Sequence, residues 1–517
     1  MVRTRIAASP TGFPHIGTIY QAIFDYALAK KYDGQFIVRV EDTDRARLVE
    51  GAEAAILDSL EWFQLPPDEG PQNPNEEIAP YRQSERKEKG IYNEYIEILL
   101  NKPLPKELLE NTTLDEKSQA YFCAYYCFCT KERLTQLRLE QQARKQLSRY
   151  DKHCTSLSRE EAEKRAKTES YVVRLNVPKD SPIKFSDWLV GDVEVTSNDV
   201  DDQVLLKADG YPTYHLAVVV DDYLMKITHI FRGKEWLSST PKHIILYYYF
   251  GWTRPIYIHL PLILNMDGKG KLSKRHGHAS VNYYREEGFL PQAITNYLIN
   301  IVWHHPEGKE IFSLSEFIEK LHINKIEGAV RTYANVTDGI KEILSLDENH
   351  EKFITSQGPR FDLDKLLWIN GIYIREELTV QELAKQLKLF ITDEAVKENH
   401  FYKDEKTFEA IVTLAQERIA TLKQFNEVAG HFFQTPPVST EYRELSEELA
   451  TKLSGIANED WQKEAIFSII KEIMVKDKLK MPVFYKIFTG KERGLPLPET
   501  LVILGKEKTL ARLQTEK

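Results

Sequence analysis

The sequence predicts a multidomain protein of mixed class, α/β in its first part and all-α in its last. Three observations carry that expectation. Strand, helix and strand follow one another within residues 1–45, and the same alternation returns from Val204 to Leu260. Beyond about residue 320, strand signals thin out and helical periodicity takes over. A chain of 517 residues is also too long for one hydrophobic core.

Element by element, Val2–Ala8 is an apolar-rich strand and Ser9-Pro10-Thr11-Gly12 is turn chemistry. A helix runs from about Gly17 to Tyr32, with Ile19, Ile23, Tyr26 and Ala27 on one face and Gly34 as its stop. Phe36–Val40 is a short β-branched strand, and so brief a βαβ stretch implies parallel pairing with a right-handed crossover. Later, Val204–Lys207 reads as a strand, Asp209–Pro212 as a turn, Thr213–Tyr223 as a helix and Ile227–Arg232 as a strand. Thr240 is expected to cap a helix that has Pro241 at its first position, and Ile256–Leu260 closes the series. A doubly wound sheet is therefore expected in two halves, split by an insertion that begins near Pro80 and holds all the cysteines. Helices follow at Thr379–Leu389, Lys406–Phe425 and Ser446–Leu453.

Composition narrows the class. The hydrophobic share of 42% and charged share of 28% are ordinary for a globular protein, and no run of eighteen apolar residues offers a membrane span. Met1–Ile6 lacks an apolar signal core, so a cytoplasmic location is the expectation. The four cysteines, all between Cys123 and Cys154, are too few and too clustered for a disulfide scaffold. They point to a local metal site or to chance. The net charge of −9 argues against wholesale wrapping of nucleic acid but permits a local basic surface. Lys471 to Lys517 is such a stretch, with eleven Lys or Arg against six Asp or Glu.

Two segments carry chemistry. Ser9–Thr18 lies between a strand and the helix it feeds; a helix N-terminus presents unpaired N–H groups that suit a polyphosphate, and Gly12 and Gly17 allow close approach. His15 can donate to a phosphate as charge builds on it. The second segment, Asp267–His276, sets Lys269, Lys271, Lys274, Arg275 and His276 beside glycines, a basic loop able to clamp a triphosphate. Either segment alone reads equally well as a plain turn, and the second also as a nonspecific RNA contact. Together they fall at the carboxyl ends of strands in one split sheet, where open α/β sheets bind ligands.

That pairing resembles the signature of class I aminoacyl-tRNA synthetases. Further strings narrow the resemblance to glutamyl-tRNA synthetases of bacterial and organellar type: Arg5–Gly12, Val40-Glu41-Asp42-Thr43-Asp44, Asp209–Ala217, Val219–Asp222, Phe231–Trp236, Lys274–Gly277, Phe361–Leu366, Trp368–Gly371 and Gly505-Lys506-Glu507. The similarity spans nearly the whole chain in order. It implies a split Rossmann-like catalytic domain (1–80 and 202–265), an inserted domain binding the tRNA acceptor stem (81–201), a basic loop with a stem-contact helical domain (266–345), and helical anticodon-binding domains (346–517).

The resemblance also implies roles. Arg5 and Arg232 would grip the carboxylates of glutamate as planar forks. Ala7 lies beside them, and Ser9, Glu41 and Tyr214 would hold the α-amino end. His15, Gly17, Thr18, Trp236 and Lys271 would face ATP with its Mg2+, and Lys274 would neutralise the phosphates as pyrophosphate leaves. His15 and Lys274 would be the catalytic pair, acting by positioning and charge. Cys127, Cys129, Tyr150 and Cys154 match the spacing of a structural zinc site found in some members, with His153 as another candidate fourth ligand and Cys123 as a competing thiol. The other reading of these cysteines is small buried hydrophobes.

The chain departs from the pattern at Val218, commonly asparagine, at Tyr20, frequently arginine, and in extra residues at Lys102–Ala120 and within 327–357. The expected activity is ATP-dependent ligation of L-glutamate to tRNA(Glu) by a monomer, or to tRNA(Gln) as well in a non-discriminating enzyme. A small-molecule nucleotidyltransferase would not need the helical half, and a non-catalytic tRNA-binding paralogue would not need intact His15, Gly17, Lys271 and Lys274. A glutaminyl enzyme fits the basic loop and helical half less well.

Overall fold

A computed structural model describes residues 1–109, 114–268, 270–272, 278–321, 332–333, 340–343, 357–436 and 440–514. Ser273, Lys274, Arg275, His276, Gly277 and Lys269 lie outside the described residues, as does most of 327–357. The chain divides into two compact units, one of Met1–Val281 with Leu298–Phe361, the other of Asn282–Tyr297 with Asp362–Lys517.

The first unit is built on parallel strands. β1 (Arg3–Ala8) pairs with β2 (Gln35–Val40), from Arg3 opposite Gln35 to Ala8 opposite Val40. The crossover helix, Ile16–Lys31, buries Ile16, Ile19, Ile23, Ala27 and Leu28. At Gly34 a Cβ would come within 2.2 Å of the Val2 carbonyl oxygen, so only glycine fits where the chain enters β2.

The insert carries β3 (Ala124–Cys127) and β4 (Val172–Leu175), then β5 (Pro182–Asp187) and β6 (Gly191–Thr196), and ends with β7 (Val204–Leu206). β8 (His229–Gly233) and β9 (Ile256–Leu260) follow and pair in parallel. Hydrogen bonds from Thr228 N to Arg3 O (2.9 Å) and from Arg3 N to Thr228 Oγ1 (2.8 Å) tie the start of β8 to β1.

Two sequence expectations for the first unit are corrected. Val204–Lys207 was expected to return the chain to the doubly wound sheet, but β7 pairs antiparallel with β4 in a three-stranded sheet of order β3-β4-β7. The tight turn at Asp209–Pro212 sends Thr213 N back to Leu205 O (2.8 Å), which ends the strand after three residues. The place beside β9 is taken by β5, whose Asp187 pairs in parallel with Tyr257. β5 ends in the buried run Phe185-Ser186-Asp187-Trp188, which suits a strand covered on both faces. The second correction concerns Thr240. It is the first residue of helix Thr240–Phe250, not its cap, and Ser239 precedes it with no side-chain cap bond. Thr240 Oγ1 instead accepts from Arg232 Nη2 at 2.7 Å.

In the second unit helices dominate. Val380–Phe390 opens on a full capping box between Thr379 and Glu382. The expected helix Lys406–Phe425 is two helices, Glu405–Gln416 and Lys423–Ala429. The break forms where the Gln424 side chain accepts from Ala420 N (2.7 Å), replacing helical pairing. Ser446–Leu453 lies inside helix Arg443–Ser454. Among the described residues, no helix is long and apolar enough to cross a membrane.

Candidate functional site

The site forms where the ends of β1, β2, β8 and β9 converge. Backbone bonds from Ile16 N to Ala279 O (2.8 Å) and from Val281 N to Pro14 O (3.2 Å) join the His15 segment to the stretch that follows the basic loop. The two signatures are thus brought together. On the near side of that loop, bonds from Asn265 N to Gly270 O (3.0 Å) and from Leu272 N to Ile263 O (2.9 Å) make a hairpin.

Two cavities open here. The larger, about 570 Å³, is lined by Arg5, Ala7, Ser9, Glu41, Tyr214 and Arg232, all six residues the sequence assigned to one ligand. The smaller, about 260 Å³, is lined by His15, Gly17, Thr18 and Lys271. Trp236 lines both, half exposed, with its ring 4.5 Å from that of Tyr214. Gln21 also lines both, and sequence reasoning missed it because one glutamine on a helix gives no signal. Its Nε2 donates to Asp25 Oδ2 at 3.2 Å.

His15 precedes helix Ile16–Lys31, and its Nδ1 accepts from Gly17 N at 2.9 Å. In a neutral ring the proton then sits on Nε2, the donor a phosphate needs. Lys271 pairs with Glu235. Ser9 Oγ donates to Glu41 O at 3.0 Å, coupling the ends of β1 and β2.

Beneath the larger cavity lies a buried charge cluster. Arg5 Nε donates to Asp222 Oδ1 (3.0 Å), and Arg39 Nη1 donates to the same oxygen (2.6 Å). Arg39 Nη2 donates to Glu41 Oε1 at 2.9 Å. Next door, Asp221 accepts from Arg86 (2.7 Å), Gln83 (2.8 Å) and Tyr92 (3.0 Å). Burial alone would push the Asp222 carboxyl up, but Arg39 and Arg5 outweigh it and hold it below the ordinary carboxylate range. Burial does push Glu41 up despite its pairing with Arg39. Val218 packs into the apolar core.

A separate cluster lies in the insert. The sulfurs of Cys127, Cys129 and Cys154 all lie within 4.8 Å of one another, with Cys129 and Cys154 at 3.6 Å. Tyr150 Oη is 3.4 Å from Cys127 Sγ and 3.2 Å from Cys129 Sγ. Zn–S bonds of about 2.3 Å in a tetrahedron put sulfurs ~3.8 Å apart, so the donor set fits a zinc ion. Hydrogen bonds from Cys154, then from Tyr150 and Arg174, draw the Cys127 thiol well below the ordinary thiol range against its burial. Arg174 Nε reaches Cys127 Sγ at 3.3 Å. Cys123 belongs to a different core and donates to Pro103 O, so it does not compete.

Lys506 and Lys508, two cations of the basic Lys471–Lys517 stretch, are engaged within their own unit. Lys506 Nζ donates to Ser454 O (3.0 Å) and Ile456 O (2.6 Å), while Lys508 Nζ lies 4.2 Å from the Phe401 ring. Arg418, Lys491 and Arg493 line a groove of about 990 Å³, together with Glu427 and Glu492.

Residues 1–105 and 116–335 match the family model for the class I tRNA synthetase (E and Q) catalytic domain, and 379–516 match an anticodon binding domain. The glutamate–tRNA ligase of Acinetobacter baylyi is 40% identical over 99% of this chain and 93% of its own. That of Thermus thermophilus is 39% identical over 99% of both chains. The solved glutamate tRNA ligase from Elizabethkingia meningosepticum, in complex with its amino acid, superposes with a TM-score of 0.77 at 32% identity, covering 99% of this chain and 98% of its own. The chain belongs to the glutamate–tRNA ligase family of class I tRNA synthetases.

Membership in that family fixes the broad chemistry, and the buried cluster shows what holds its first strand in place. Removing one partner of a buried ion pair strands the other charge, at a cost of about 3–5 kcal/mol. Asp222→Asn should therefore destabilise the first unit by an amount in that range and weaken glutamate binding. Chemical denaturation with a far-UV signal checks this, and an unchanged first transition would show that Arg5 and Arg39 do not depend on Asp222.

Proposed function

We propose that the larger cavity holds L-glutamate and the smaller holds ATP, so that the chain forms glutamyl adenylate and passes the acyl group to tRNA(Glu). The observation that carries this reading is the shared wall. Trp236 and Gln21 line both cavities, so a ligand in one can meet a ligand in the other.

Arg232 and Arg5 give the larger cavity its cationic floor, and Arg5 is already half neutralised by Asp222. Arg232 is therefore the stronger candidate for the side-chain carboxylate, and Glu41 with Tyr214 for the α-ammonium. His15 Nε2–H, the amides at the start of helix Ile16–Lys31 and Lys271 would face the triphosphate. Lys274 is assigned to the same role from the sequence. Mg2+ would arrive with the nucleotide, since it is commonly held by substrate phosphates and water. The glutamate α-carboxylate attacks the α-phosphorus, the bond to the bridging oxygen breaks and pyrophosphate leaves, so no enzyme nucleophile is required. The protein supplies alignment and charge. The cationic groove of the second unit would take tRNA phosphates, and the enzyme would work as a cytoplasmic monomer.

Arg232→Lys keeps the charge and loses the planar fork. Its KM for glutamate should rise by roughly tenfold or more, while the KM for ATP stays put. Glutamate-dependent ATP–pyrophosphate exchange measures both, and an unaltered glutamate KM would remove Arg232 from this role.

Cys127, Cys129, Cys154 and Tyr150 would hold one zinc ion, a cross-link within the insert that takes no part in the reaction. Elemental analysis of protein purified with zinc in the medium should find about one zinc per chain, falling sharply in Cys129→Ser. The insert of the variant should also be cut faster by protease. A zinc-free parent with an equally resistant insert would refute the assignment.

A further inference from the structure

We propose that His259 and Asp187 are positioning residues for glutamate: they hold the Arg232 guanidinium by its Nε edge and leave its terminal edge for the ligand. This rests on the reading that Arg232 receives the side-chain carboxylate.

A guanidinium offers five N–H donors in fixed forks. Arg232 Nε donates to His259 Nε2 at 2.9 Å and Nη2 donates to Thr240 Oγ1 at 2.7 Å. Those two acceptors are 3.3 Å apart, so together they fill one fork. Nη1 donates to His243 Nδ1 at 3.2 Å and reaches Tyr214 Oη at 3.5 Å. The guanidinium carbon sits 4.8 Å over the Tyr257 ring, which fixes the plane. One Nη2 N–H has no partner among these contacts, and the Nη1 N–H that reaches Tyr214 Oη at 3.5 Å makes the longest of them, so a carboxylate that displaces the tyrosine hydroxyl can take both terminal N–H groups; Arg232 and Tyr214 both line the larger cavity.

Arginine can only donate, so it dictates the proton positions around it. His259 Nε2 must accept, which puts the proton on Nδ1, facing Asp187 Oδ2 at 2.6 Å. His243 Nδ1 must accept, which puts its proton on Nε2, facing His215 Nδ1 at 3.2 Å. Two histidines beside one guanidinium thus hold opposite tautomers. Asp187 cannot swing away, because its Oδ1 also accepts from Leu189 N (3.0 Å) and Val190 N (2.7 Å) and its Oδ2 from His259 N (3.2 Å). Burial first, and nearby cations second, hold His215 at about 3 and His243 well below the ordinary imidazole value, which keeps them neutral.

The consequence is selectivity. A terminal fork of two parallel N–H groups matches a carboxylate, whereas an amide presents one acceptor and a donor that would oppose an N–H. If the relay failed, the guanidinium could turn and the fork would no longer be aimed.

Side-chain ¹⁵N NMR on the histidine-labelled full chain tests the geometry directly. At neutral pH His259 should be the Nδ1–H tautomer and His243 the Nε2–H tautomer, assigned with single variants. Kinetics test the consequence. His259→Phe removes the acceptor and should raise the glutamate KM roughly tenfold, leaving the ATP KM unchanged. His259→Gln can still present an amide oxygen to Arg232 Nε and should recover most of that loss. Asp187→Asn should resemble His259→Phe in the parent but have little further effect in His259→Gln, because the relay is already cut. Should Asp187→Asn fail to fold, the tautomers and the two His259 variants still decide. A proton on His259 Nε2 overturns the proposal. So does an unchanged glutamate KM in His259→Phe while Arg232→Lys raises it. An unchanged KM in Arg232→Lys itself would overturn the assignment of Arg232, and the relay with it.

Discussion

Asp222 lies between two buried guanidiniums, Arg5 from β1 and Arg39 from β2, and its helix follows directly from the insert's last strand. Three stretches of chain far apart in sequence are pinned at one carboxylate. Each charge would be costly in this interior alone, so the arrangement persists only when all partners are present. Arg39 carries the tie onward to Glu41, and Asp221 carries it to Arg86 on helix Gln83–Glu88. The floor of the larger cavity is therefore set by ion pairing rather than by loop conformation.

On that floor the two cavities need little further machinery. One is bounded by arginines and a buried glutamate, the other by a helix N-terminus, His15 and Lys271. Binding a zwitterion beside a triphosphate and aligning an oxygen with phosphorus is work for fixed charges and dipoles. Rigidity matters more than reactivity here. This explains why the first unit buries so many paired side chains near its sheet ends, and why Arg232 is contacted on several sides by neutral acceptors.

Much of this was legible in the sequence. β1, β2, β8 and β9 announce themselves as short runs of apolar and β-branched residues, and helix Ile16–Lys31 by its apolar face. The six residues of the larger cavity and the first-turn histidine stand in short strings whose resemblance is specific. The order of strands was less legible. β5 and β7 look alike as short runs, and only the burial of Asp187-Trp188 against β9 separates them. Thr240 reads as a cap by local rule, but Arg232 claims its hydroxyl, a tertiary demand overriding a local preference. Gln21, His259 and Asp187 gave no signal because their roles arise from contacts across the sheet. Lys506 and Lys508 counted as free charges in the sequence, yet both have partners inside their bundle.

The central claim is that glutamate and ATP occupy adjoining cavities that share Trp236 and Gln21. A non-hydrolysable glutamyl-adenylate analogue in equilibrium competition tests it most directly. The account predicts that one molecule of analogue per chain displaces both labelled glutamate and labelled ATP, because its two halves fill both cavities at once. Continued binding of glutamate alongside saturating analogue would contradict it.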